Sequence, residues 1–339
     1  MYKKLSLLTL SIILASAGVT GCASQTSATA GSSSSADISE NQASDSLNIV
    51  CTIFPEYDWV KQILGDKAEN AEITYLLDKG LDLHSFQPTA DDIMKISACD
   101  LFIYVGGESD GWVEDTLADA VNDNMKVINL MEILGDSAKT EEIKEGMQAE
   151  EEEEDSEEDE ETEYDEHIWL SLKNAEILCT EIENVISEID PANSAEYKSN
   201  LETYISQLDA LDNDFQSLID SSSVKALVFG DRFPFRYFTD DYGLDYYAAF
   251  AGCSAETEAS FETIKFLADK INELDCDTIF TLENSDHSIA DTIISTSGKK
   301  VNIAQLNSLQ SVSESDIKNG ATYLSLMQKN YDVLKGIFS

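Results

Sequence analysis

The chain has 339 residues, 42% of them hydrophobic, which is enough apolar mass for two domains or one large one. Its 66 acidic residues outnumber 21 basic ones, giving a formal net charge of -45. Such a surface repels phosphate backbones and anionic membrane surfaces, so nucleic acid is excluded as a partner, whereas small cations fit.

The first 22 residues, MYKKLSLLTLSIILASAGVTGC, read as a secretory signal peptide: Lys3 and Lys4, an apolar stretch, then small residues. The stretch is too short for a permanent span. Its end, VTGC, resembles a bacterial lipobox, which would make Cys22 the lipidated first residue of the mature protein. Residues 23–45 are rich in Ser, Ala and Thr and read as a flexible tether. Each lipid methylene buried contributes about 0.8 kcal/mol, so two or more chains anchor stably.

The folded body starts with an apolar, β-prone run at 47–54 that Pro55 ends. A helical pattern follows, with Val60, Ile63 and Leu64 on one side. Residues 71–77 form a second strand, followed by a loop in which Thr89 is placed to cap a helix over 90–96. A third strand (100–107), a helix (112–121) and a short strand (126–130) come next. An acidic run, 149–166, reads as a solvated surface insertion, because like charges repel and cannot bury. A helix over 167–190 precedes the longest periodic segment, 194–222, with apolar residues at spacings of three and four. At 1.5 Å per residue it spans roughly 40 Å and suits a strut. Strands at 224–230, 244–252, 276–283 and 299–306 then alternate with helices, and a last helix closes the chain. The expected fold is α/β, two parallel-sheet lobes joined by one long helix. The boundaries are 46–190 for the first lobe, 191–222 for the linking helix and 223–339 for the second lobe.

Parallel sheets bind ligands beyond the carboxyl ends of their strands. His84, His167, Asp231 and Glu283 fall at such ends, two from each lobe, so a cleft between lobes could collect them. Two imidazoles and two carboxylates suit zinc, with manganese as the alternative. Read one by one, each has a plain structural reading as a helix cap or surface group, and no short metal-ligand spacing joins them. His287 reads as a residue of a helix start. Five cysteines besides Cys22 match no CxxC motif; Cys253 and Cys276 are the nearest pair, and Cys51 and Cys99 read as buried apolar residues. No GxSxG, phosphate-binding loop or GxGxxG occurs, and nothing in the sequence places Glu56, Glu108 or Glu256 as a base, so an enzyme is not expected.

FPEYDWVKQILGD, GLDLHSFQPTADDIMKISACDLFIYVGG and DEHIWLSLKNA resemble the metal-binding substrate-binding lipoproteins of ABC importers, the zinc (ZnuA-type) and manganese family. Tyr242–Leu244, Glu256–Glu258 and the last helix extend the resemblance over residues 47–339. It implies that His84 and His167 are metal ligands, binding as neutral imidazoles, so that affinity falls below about pH 6.5. Where the family has His or Glu after the first strand of the second lobe, Gly230, Asp231 and Arg232 stand here, and of these only Asp231 can ligate. Glu283 is the candidate for the fourth place. The implied protein is an extracytoplasmic, lipid-anchored monomer that delivers Zn2+, or alternatively Mn2+, to an ABC permease and its ATPase. Rival readings are a surface adhesin that kept the fold, a metallohydrolase, and a receptor for an anionic metal chelate greeted by Arg232 and Arg236.

The acidic run can also gather cations loosely, an effect that salt screens. Deleting 149–162 should slow zinc loading at low ionic strength and leave equilibrium affinity nearly unchanged. Stopped-flow loading would check this, and an unaltered rate would make the run filler.

Overall fold

The structure, a computed structural model, describes residues 46–148, 163–254 and 258–339. The signal peptide, Cys22, the tether, acidic residues 149–162 and Glu256 lie outside the described residues. Residues 46–339 form one unit.

The first sheet is built from β1 (Asn48–Cys51), β2 (Glu72–Tyr75), β3 (Leu101–Tyr104) and β4 (Lys126–Asn129), interleaved with α1 (Phe54–Leu64), α2 (Ala90–Ala98), α3 (Val113–Ala118) and α4 (Leu130–Leu134). Its order is β2-β1-β3-β4, and every pair is parallel. Its central strands are buried apolar runs, Ile49–Cys51 and Leu101–Ile103, as expected of a sheet covered by helices. β1 stops three residues earlier than the apolar run suggests. Pro55 sits in the first turn of α1, where its missing N–H costs nothing, and the Glu56 carboxylate accepts the N–H groups of Thr52 (2.8 Å) and Ile53 (3.2 Å). Phe54 is thereby drawn into the helix. At α2 the expected cap forms: Thr89 and Asp92 bond each other's backbone N–H groups.

α5 (Leu172–Ile189) follows a single tight turn at Ile168–Leu170 and is capped by Ser171. α6 (Ser194–Ser221) has 28 residues and is about 42 Å long. Its buried stripe, Tyr197, Leu201, Tyr204, Leu208, Leu211, Phe215 and Leu218, keeps the spacing of three and four. The second sheet repeats the first. It contains β5 (Ala226–Phe233), β6 (Asp245–Ala251), β7 (Thr278–Leu282) and β8 (Asn302–Leu306), in the order β6-β5-β7-β8, all parallel. Between and after them lie α7 (Arg236–Tyr242), α8 (Phe261–Glu273), α9 (Ser288–Ser297), α10 (Glu314–Lys318) and α11 (Tyr323–Phe338).

The last helix does not stay with the second lobe. The N–H of Tyr323 donates to Asp58 of α1 (2.9 Å), its hydroxyl donates to the Trp169 carbonyl (2.6 Å), and its ring stands 5.2 Å from that of Trp59. α11 thus ties the chain's end to the first lobe, and one continuous core runs from Ile49 to Phe338. A smaller cluster under α8 and α9 belongs to the second lobe alone.

Phe215 is the pin of α6, fully buried with its ring against Phe238, Tyr242 and Tyr331. Phe215→Ala should cost about 3–5 kcal/mol in urea unfolding. Ser217→Ala, on the exposed face of the same helix, should stay within about 0.5 kcal/mol.

Candidate metal site

His84 lies in a tight turn, Leu83–Ser85, in the loop after β2. The Asp82 side chain caps this turn by accepting the His84 N–H at 3.1 Å. His167 lies at the end of the acidic run and is fully buried, and its N–H donates to Asp165 at 2.9 Å. The two rings meet edge to edge, with Nε2 of His84 3.3 Å from Nε2 of His167.

Both rings are held from behind. His167 Nδ1 stands 2.8 Å from an Asp165 carboxylate oxygen. His84 Nδ1 stands 2.8 Å from the Ser109 hydroxyl and 3.4 Å from Glu166 Oε2. Among the described residues that oxygen has no hydrogen-bond partner, while Glu166 Oε1 accepts the Ser109 N–H at 2.8 Å. Carboxylates behind Nδ1 favour the tautomer that leaves Nε2 with a lone pair to offer a metal. With both rings in that tautomer, the two Nε2 lone pairs 3.3 Å apart repel unless a cation lies between them. Nitrogens on a tetrahedral zinc, at 2.0–2.1 Å each, stand about 3.3–3.4 Å apart.

The charge balance has the same sense. Asp165 and Glu166 are each 2% exposed, and their ion-pair partners among the described residues are the two imidazoles. Burial raises the Glu166 carboxyl. Burial, then His167, push the His84 ring down to about 3. At neutral pH that ring is an uncharged donor. Proton competition at His84 therefore begins far below the pH of about 6.5 expected from an ordinary histidine. The last residues of the acidic run are accordingly not part of a solvated insertion. Gly107, at φ 89°, leaves room for them, since a Cβ there would come within 2.5 Å of Glu166 Oε1.

From the second lobe comes Cys253, just after β6. The ligand atoms of His84, His167 and Cys253 all lie within 4.8 Å of one another. Gly252 makes the approach possible, because a Cβ there would stand 3.0 Å from the His167 ring. Gln310, after β8, completes the surroundings. Its amide lies between Asp82 on one side and His167 Nε2 on the other.

Asp231 and Glu283 are not in that group. Asp231 sits in an irregularity of β5, between Phe229 and Arg232, where its oxygens accept the N–H groups of Arg232 (2.9 Å) and Leu282 (3.2 Å). Glu283 accepts both the N–H (2.9 Å) and the hydroxyl (2.8 Å) of Ser308. Both line a neighbouring cleft with Asp82 and Arg232. Arg232 pairs with Asp82 at 2.5 Å, which offsets part of its charge, although that charge still acts against a positive His84. Burial alone would raise the Asp82 carboxyl, but Arg232 and His84 outweigh it and hold it below the usual range. His287 caps α9 in a left-handed conformation, φ 65°, near Gln305. Glu56 is consumed as the α1 cap, and Glu108 is exposed. Cys51, Cys99, Cys179, Cys253 and Cys276 are all free thiols, so the nearest pair in sequence is not bridged.

The sequence profile of the periplasmic zinc-uptake complex component A (ZnuA) matches residues 49–337. The chain belongs to this family. It is 30% identical over 299 residues to the zinc-binding lipoprotein AdcA of Streptococcus pneumoniae, covering 87% of this chain and 56% of that protein. The chain thus spans little more than half the length of such relatives. With the high-affinity zinc uptake system protein ZnuA of Bacillus subtilis it shares 30% identity over 301 residues, 88% of this chain and 89% of that one. The Zn(II)-bound ZnuA-like domain of S. pneumoniae AdcA superposes with a TM-score of 0.66 at 28% identity, covering 86% and 99% of the two chains. The laminin-binding adhesin of Streptococcus agalactiae, at 22% identity and TM-score 0.71, shares the fold.

Sequence reasoning passed over Asp165, Glu166, Cys253 and Gln310. Asp165 and Glu166 were hidden inside a run of like charge. The only local signal for Cys253 was its place just past a strand, after a glycine.

An imidazole pushed down on folding binds its proton more readily in the unfolded chain, at about 6.5. The unfolded state therefore holds more protons between about pH 6.5 and 3, and folding weakens as pH falls through that window. Burial shifts Asp58 and Asp110 upward, to about 6 and 7, which acts in the opposite sense, so the parent's own profile mixes both. In the metal-free protein, the Tm of His84→Asn minus that of the parent should rise as pH falls from 6.5. A difference that stays constant would contradict the assigned shift.

Proposed function

We propose that the protein is an extracytoplasmic receptor that captures Zn2+ between its lobes on His84 and His167 and delivers it to a membrane permease driven by an ATPase. The single observation that carries this reading is the pair of Nε2 atoms 3.3 Å apart, each ring backed by a buried carboxylate. The supporting likenesses are to proteins named for zinc binding and zinc uptake. Zinc is cargo here, so it must be bound and also released. The backing carboxylates raise the basicity of the imidazoles and fix their aim, which favours capture. Because α6 and α11 tie the lobes together, release comes from small shifts in the ligand loops rather than wide hinge opening. Two imidazoles also favour zinc over manganese, which prefers oxygen donors. Membrane anchoring through lipidated Cys22 belongs to the same proposal.

Isothermal titration of the metal-stripped protein tests it. Zinc should bind with a Kd below about 1 μM. His84→Ala combined with His167→Ala should remove that binding while circular dichroism stays unchanged. Absence of zinc binding in the parent, or its survival in the double variant, would refute the assignment.

A further inference from the structure

We infer that Cys253 is the third ligand of the zinc, as a thiolate, so that the site is built from two imidazole nitrogens and one sulfur. The inference rests on the receptor reading above and narrows it. Three observations support it. The sulfur lies within 4.8 Å of the ligand atoms of both histidines. Zinc–sulfur and zinc–nitrogen distances of about 2.3 and 2.0 Å require a separation near 3.6 Å at tetrahedral angles, so a small side-chain rotation suffices. Among the described residues, the two carboxylates expected from the second lobe are engaged, Asp231 with the N–H groups of Arg232 and Leu282 and Glu283 with Ser308.

The cysteine is also delivered by construction. Its N–H donates to Glu141 at 2.8 Å, which pins the backbone after β6. The Gln148 N–H donates to the Ala249 carbonyl at 2.9 Å, so the segment carrying Glu141 is fastened along β6 itself. The bare Gly252 lets the His167 ring reach the turn. The residue is half-buried, and burial, then Asp165 and Glu141, raise its thiol well above the usual range, so a bound cation is what would hold it as the thiolate. On binding, the S–H proton leaves to water as the sulfur–zinc bond forms, and no electron transfer is involved. Thiolate sulfur suits zinc and disfavours manganese, so Cys253 would set the metal preference of the site.

Cobalt(II) in place of zinc reads the ligand directly. The metal-stripped protein loaded with one equivalent of Co2+ should show a thiolate-to-cobalt charge-transfer band in the near ultraviolet. Cys253→Ser should lose the band and weaken zinc binding on the order of a hundredfold, with the metal-free fold intact by circular dichroism. Cys276→Ser, at the other half-buried cysteine, should keep both. Cobalt that binds the parent without the band, or a band that survives in Cys253→Ser, overturns the sulfur ligand and leaves the receptor reading standing. A parent protein that binds neither cobalt nor zinc overturns both.

Discussion

Two imidazole Nε2 atoms held 3.3 Å apart are the constraint around which the rest of the molecule is organised. The contact survives because Asp165 and Glu166, buried behind the rings, hold them in place and leave negative charge that the site's own residues do not cancel. Burying carboxylates without a basic partner is costly. A site that carries this cost in the absence of cargo gains the most when a cation arrives.

The scaffold has to be stiff for such a contact to persist. Each lobe supplies a four-stranded parallel sheet of the same order, and the residues of interest follow the carboxyl ends of strands in both. The lobes are then tied twice. α6 lies along the first lobe and reaches the aromatic group formed by Phe238, Tyr242 and Tyr331. α11 returns from the second lobe to Asp58, Trp59 and Trp169. A hydrogen bond from the Trp169 indole to the Ser308 carbonyl (2.8 Å) adds a third tie close to the site. With the ends fastened, what remains around the histidines is a set of loops between the elements.

Those loops are coupled through Asp82. It caps the turn carrying His84, pairs with Arg232 across the cleft, and touches the Gln310 amide, which also meets His167. One carboxylate thus links Arg232 and Gln310 of the second lobe to the turn that carries His84. Leu309, immediately before Gln310, holds a left-handed backbone at φ 62° while fully buried, which fixes the direction in which Gln310 is presented.

Much of this was legible in the sequence because the signals are local. Alternating apolar strands and amphipathic helices, the cap at Thr89, the long stripe of α6 and the histidines after strand ends are all properties of neighbouring residues. Together with the family motifs they determined the α/β fold with its two lobes, and they singled out His84 and His167, which the structure brings together. Tertiary structure alone decided the remainder, since it depends on what distant segments bring to the same point. Asp165 and Glu166 look like the tail of a solvated acidic run until the His84 loop and Gly107 close over them. Asp231 and Glu283 look like free ligands until the backbone of β7 and Ser308 claim them. Cys253 looks like a spare thiol until Gly252 lets it approach an imidazole encoded 86 positions earlier. Charge and periodicity can be read along a chain, but the hydrogen-bond partners that decide which carboxylate remains available for a metal exist only once the chain has folded.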